Sequence, residues 1–153
     1  MRCLLQIEAL VLDIQQAEFG LALPVENQPD LKDVAAFFSR PGSAFWVALI
    51  DNNIVGCIGL EAIAGHAAVM RKFMVAPTHR GSGSHIAIDL LAAFEAHAHA
   101  QGFNTIALST VAETKAAQRF HAKMGYVAVT AVDMPLGYSQ GVLDRAFFVK
   151  GLA

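Results

Sequence analysis

The chain predicts an α+β fold built on a mixed central sheet, and three observations carry that prediction. Short apolar runs of strand length alternate with amphipathic stretches of helix length. Two such runs flank the turn-forming triplet Asp51-Asn52-Asn53, and a later run empties through Pro77 and a glycine-rich bend into a helix. With 153 residues the chain is read as one domain, residues 1–153, large enough to bury a real core.

Taken in order, Leu10 to Ile14 reads as a first strand. Pro29-Asp30 opens a helix to about Ser39, with Leu31, Val34, Ala35 and Phe38 as its apolar stripe. Phe45 to Ile50 and Ile54 to Leu60 form a hairpin around the Asp-Asn-Asn turn. Ala67 to Val75 is a strand, stopped where Pro77 offers no N–H to a ladder. The helix from about Ser84 to Gln101 places Ala87, Leu90, Leu91, Phe94 and Ala98 on one face, and Gly102 closes it. A strand at Thr105 to Ser109, a helix from Lys115 to Met124 closed by Gly125, and strands at Tyr126 to Val132 and Ala146 to Lys150 complete the order. No repeat, low-complexity tract or linker interrupts it.

Composition narrows the functional classes. Hydrophobic residues make up 55% of the chain and charged residues 16%, below the usual ~25%, so part of the surface is expected to be covered by a second copy, as a homodimer. A net charge of −2 gives no general attraction to nucleic acid or to an anionic membrane. No apolar run reaches the ~18 residues of a membrane span. Cys3 and Cys57 stand alone, which suits reduced thiols in a cytoplasmic protein. His97 and His99 are two apart on a helix and do not face each other, so no metal site is expected.

The most informative segment is Val75-Ala76-Pro77-Thr78-His79-Arg80-Gly81-Ser82-Gly83-Ser84-His85. Gly81 and Gly83 let successive backbone N–H groups turn toward one point, and the following helix opens with N–H groups that have no internal partner. Arg80 adds a donor fork suited to phosphate oxygens. Together these make a seat for a diphosphate. A P-loop would need Lys-Ser/Thr where Ser84-His85 stands, and a dinucleotide fingerprint would need a small residue where Ile86 stands. The bend read alone also fits a plain strand-to-helix connection.

Arg80-Gly81-Ser82-Gly83-Ser84-His85 resembles the Arg/Gln-x-x-Gly-x-Gly/Ala pyrophosphate loop of the GNAT N-acetyltransferase superfamily. Downstream, Thr114-Lys115-Ala116-Ala117-Gln118-Arg119-Phe120-His121-Ala122-Lys123-Met124-Gly125-Tyr126 resembles that family's helix ending in an aromatic, three residues and Gly-Phe/Tyr. The resemblance spans roughly residues 45 to 150. It implies a mostly antiparallel mixed sheet with a V-shaped splay, helices on both faces, and acetyl-CoA as co-substrate for a small-molecule amine. Acetyl-CoA would lie between the strands Ala67 to Val75 and Thr105 to Ser109. It would meet Phe73, Met74 and Val75, the bend residues Arg80, Gly81, Ser82, Gly83, Ser84 and His85, and Thr114, Ala117 and Phe120 on the later helix. A backbone N–H near Phe73 would hold the developing oxyanion.

Three positions depart from the family pattern. His85 stands where the family carries Gly or Ala, either as a phosphate contact or as a solvated helix residue. His121 stands where the family often carries the Tyr that protonates the departing thiolate, either in that role or as a structural residue. As an acid near its ordinary pKa of ~6.5, it would give a kcat that falls through about pH 6–7. Thr114 replaces the usual Asn and reads as an N-cap. No carboxylate in the strand Ala67 to Val75 offers a general base, leaving Glu61, Asp133 and Glu113 as candidates reached through water. Alternation sends Arg71 and Lys72 to opposite faces, so that Arg71 could hold a substrate carboxylate or sit in an exposed ion pair. Tyr138, in a turn-rich segment from Pro135 to Asp144, marks an acceptor-side loop. The changes at His85, Thr114 and His121 also suit a catalytically silent acyl-CoA-binding module, and an open cleft would suit a peptide amine.

Overall fold

In the computed structural model, which describes residues 2–81, 83–141 and 143–152, six strands form one sheet in the order β1-β2-β3-β4-β6-β5. The strands are β1 (Ala44–Ile50), β2 (Asn53–Ile63), β3 (Ala67–Val75), β4 (Thr105–Val111), β5 (Val127–Val129) and β6 (Asp144–Gly151). Every neighbouring pair is antiparallel except β3 and β4. The hairpin turn forms as the sequence predicts, with Asp51 and Asn52 at φ of 51° and 64°, the left-handed pair a two-residue hairpin needs.

The N-terminal strand is a correction. Residues Arg2–Leu12 form helix α1, and Asp13–Glu18 continue it as a π-helical segment. Ile7, Val11 and Ile14 are the buried apolar positions, spaced four and three apart, so the apolar run at 10–14 is the end of a helical stripe. The helix expected from Pro29 breaks into α2 (Pro29–Lys32) and α3 (Val34–Phe37). Asp33 makes the break: with φ −143° it leaves the helical region, and its carboxylate accepts the Ala36 N–H at 3.0 Å as a cap.

The later elements lie where the pattern puts them, with shifted ends. Helix α4 (Ile86–Ala100) starts two residues later than expected, because Gly81 and Gly83 keep the bend out of the helix. Helix α5 covers Lys115–Lys123. Strand β5 stops at Val129, since Thr130 and Asp133 form a reciprocal cap on a short turn, Ala131–Asp133.

The helices cover both faces. Leu90, Leu91, Phe94 and Ala98 of α4 pack on Ile58, Leu60, Ala68, Met70, Ile106 and Leu108 of the sheet. On the other face, Ile7, Val11, Leu31, Val34 and Phe38 from α1 to α3 pack around Cys57. Gly59 opens room there: a Cβ on it would lie 2.6 Å from the Phe38 ring. Among the described residues, no helix is long and apolar enough to cross a membrane.

Candidate active site

The sheet is split where its one parallel pair runs out. Strands β3 and β4 pair at Ala67 with Thr105, Ala68 with Ile106 and Val69 with Ala107, and no pairing is seen beyond those rungs. Met70–Val75 and Leu108–Val111 therefore diverge into a V, each strand with one edge free of the ladder.

At the far end of β3 the bend makes a polar, concave surface. A cavity of about 430 Å³ is lined by Ile50, Thr78, His79, Arg80, Gly83, Ser84, His85 and Ile86. Gly81 and Gly83 have φ of +88° and +87°, conformations that a side chain resists. Helix α4 opens behind them, and its N-cap residue makes no side-chain cap hydrogen bond, so its first N–H groups are left without that partner among the described residues. The exposed His85 occupies the N-cap position. Ser82 lies outside the described residues. Arg80 is anchored from behind: its Nε donates to the Val75 carbonyl at 2.6 Å, and its two terminal nitrogens donate to Glu18 at 2.6 and 2.8 Å.

Midway along β3 the ladder is irregular. Cys57 pairs with Met74 but Gly59 pairs with Arg71, so Lys72 and Phe73 together oppose the single residue Ile58, a β-bulge. Lys72 sits at φ +50°, a conformation costing a non-glycine residue about 1–2 kcal/mol. The bulge corrects the alternation expected for Arg71 and Lys72. Arg71 lies opposite Gly59, on the α3 side of the sheet, and the Lys72 ammonium meets Asp30 of α2 on that same side. Phe73 points the other way, its ring 5.9 Å from both Phe120 and His121 of α5, while Met74 packs with the α1–α3 core.

His121 is buried among Phe73, Phe120, Tyr126 and Phe148, with ring centroids 5.7–6.0 Å away, and its Nδ1 has no hydrogen-bond partner. Desolvation lowers its pKa to about 4, so the ring is neutral at pH 7. The kcat limb expected at pH 6–7 assumes an ordinary imidazole pKa, which this burial does not leave in place. Thr114 holds the N-cap position of α5, yet its hydroxyl donates to the Val111 carbonyl at 2.9 Å instead of capping the helix. Ala117 and Phe120 are half-buried on α5.

The mouth of the V on the α3 side carries a side-chain network. Arg71 donates through Nε to Glu61 at 3.0 Å and through a terminal nitrogen to the Ser139 carbonyl at 3.1 Å. Its guanidinium lies 5.4 Å from the Tyr138 ring centroid. Arg40 grips the second Glu61 oxygen at 3.1 Å, so this buried carboxylate is shared by two cations. The Tyr138 hydroxyl bonds with Ser109 of β4, which donates to Asp144 of β6 at 2.7 Å. Burial raises the pKa of Tyr138. Of the base candidates, Glu61 is tied into this network, Asp133 caps Thr130, and Glu113 is exposed. Sequence reasoning missed Glu18, Asp30, Ser109 and Asp144, none of which lies in a recognisable motif. Among the described residues, no group of three or more His, Cys, Asp or Glu could hold a metal ion.

Comparison with known proteins places this arrangement. A protein named probable N-acetyltransferase 14, from Xenopus tropicalis, is 35% identical over 133 residues, covering 86% of this chain and 63% of that protein. N-acetylaspartate synthetase of the same organism is 28% identical over 123 residues, covering 78% of this chain and 45% of its own length. The chain thus spans less than two-thirds of these relatives. A crystal structure of a GNAT-family acetyltransferase from Staphylococcus aureus superposes with a TM-score of 0.93 at 26% identity, covering 98% of this chain and 93% of the other. The sequence profile of the acetyltransferase (GNAT) family matches residues 9–126, and with the split sheet and glycine bend in place, the chain belongs to that family.

Proposed function

We propose that this chain transfers an acetyl group from acetyl-CoA to the primary amine of a small molecule. The observation carrying this reading is the alignment of three features along one strand: the open V beside β3, the bulge at Lys72–Phe73 and the amide-rich bend after Val75. The bend and the start of α4 suit a diphosphate, and the free edge of β3 suits an extended amide-bearing arm. The acetyl carbonyl then lies at the bulge, where the Phe73 N–H holds the developing oxyanion. The amine attacks this carbon as the neutral base, the C–N bond forms, the C–S bond breaks, and the amine's surplus proton passes through water to the departing thiolate. His121, neutral in its aromatic box, stands where it can hold the sulfur by a hydrogen bond, without delivering a charge.

The acceptor enters from the Arg71, Glu61 and Tyr138 side. N-acetylaspartate synthetase is named for a product made from a small amine bearing carboxylates, which supports an acceptor of that class. A second copy of the chain against the exposed Val127, Val132 and Leu136 belongs to the same reading. The test is calorimetry with acetyl-CoA and CoA, followed by an amine panel with thiol release as readout. Micromolar binding with turnover of at least one small amine is expected. Binding without turnover of any amine would leave an acyl-CoA-binding module, and absence of binding at millimolar acetyl-CoA would overturn both.

A further inference from the structure

Four non-glycine residues among those described have positive φ: Asp51, Asn52, His66 and Lys72. The first three sit in hairpin turns, whereas Lys72 lies within a strand. Something must hold it there, and two contacts converge on it. Its ammonium bonds both oxygens of Asp30, at 2.9 and 2.8 Å, and the two side chains are 14% and 9% exposed. Its carbonyl accepts a hydrogen bond from the buried Cys57 thiol on β2 at 3.2 Å. The thiol keeps its proton for this purpose, since burial pushes its pKa up to about 12.

These contacts set a direction. The peptide joining Lys72 to Phe73 is trans and planar, so its C=O and N–H point oppositely. With the carbonyl held on Cys57 of β2, the Phe73 N–H points away from β2, to the side of β3 on which the V opens. We propose that Asp30, Lys72 and Cys57 form a clamp that holds this peptide in its bulged orientation, making them positioning residues for the oxyanion donor. The inference rests on the acetyl-transfer reading above. It assigns to the Lys72 ammonium a partner inside the protein and no contact with substrate.

Glycine separates this role from ordinary stabilisation, because it adopts φ near +50° without help. Lys72→Ala and Asp30→Ala should each lower kcat about 10- to 100-fold while changing the acetyl-CoA Kd less than threefold, since the peptide swings and the diphosphate seat does not. Lys72→Gly loses the same ion pair but should recover kcat to within about threefold of wild type. A Lys72→Gly variant as slow as Lys72→Ala, or a Lys72→Ala variant with wild-type kcat, would overturn the proposal. A crystal structure of Asp30→Ala needs no activity. Relaxation of residue 72 to negative φ supports the clamp even if no amine substrate is found, and retention of positive φ with the carbonyl still on Cys57 refutes it.

Discussion

The two ends of the V are built from different material. The bend at residues 79–86 presents backbone: two left-handed glycines, the uncapped start of α4, and an arginine held from behind by Glu18. The mouth on the α3 side presents side chains drawn from six separate segments: Arg40, Glu61, Arg71, Ser109, Tyr138 and Asp144. A seat of amides is a property of a local conformation, so it is written in consecutive residues. A side-chain network depends on which strands become neighbours, so its parts are scattered and individually unremarkable.

The sharpest way to break that contrast is Arg71→Ala. If the mouth is a side-chain device, kcat/KM for the acceptor should fall about 100-fold, with the acetyl-CoA Kd within about twofold of wild type, as read by steady-state kinetics and calorimetry. Lys72→Ala is no control for this, because the bulge brings Lys72 to the same side of the sheet. The complementary change at the other end is Gly83→Val. Apart from its chain neighbours, no atom of the described residues lies within 4 Å of a Cβ there, so the effect is conformational strain, and the acetyl-CoA Kd should rise about 10- to 30-fold with acceptor KM little changed. Equal loss of both affinities in either variant would erase the distinction.

His121 packs against Phe73 of β3, and its burial makes a prediction about stability. Its folded pKa, about 4, is below the unfolded value of ~6.5, so the unfolded chain binds the extra proton between them. Stability from the neutral ring is full above pH ~6.5 and is lost as the pH falls toward 4. Between pH 7.5 and 5.5 the wild type should lose roughly 1 kcal/mol more than His121→Phe, measured by denaturant melts at both values. Parallel losses would mean that the ring is not buried in solution. The smallest effect is expected from Glu18→Gln. Removing this carboxylate frees the Arg80 fork beside the seat, and acetyl-CoA should bind about two- to fivefold tighter at low salt, with the gain vanishing at high salt.

The same contrast explains what could be read from residues alone. Strand β3, the bend, α4 and the β1–β2 hairpin are each specified by neighbours in the chain, through Pro77, Gly81, Gly83 and the Asp51-Asn52 turn, and all four form. The strand expected at Leu10 to Ile14 is instead the end of a helix, because its Val11 and Ile14 continue a stripe that begins at Ile7, outside a five-residue window. The bulge at Lys72 escaped because nothing in Met70-Arg71-Lys72-Phe73 departs from a strand, and its cause lies in Asp30 and Cys57, 42 and 15 residues away in sequence. The partners of Arg71 and Tyr138 are likewise set by the fold, as is the neutral state of His121, which four surrounding rings impose.

The three rungs between β3 and β4 also have a mechanical meaning. They are the seam between two antiparallel plates, β1 to β3 and β4 to β6 with β5, and beyond them the plates are joined through side chains packed under α4 and α5. A guest lying as a strand in the gap would lengthen that seam and complete the sheet. Occupancy and cohesion then become one quantity: amide exchange along Met70–Val75 and Leu108–Val111 should slow in proportion to the guest bound, and the melting temperature should climb with its concentration.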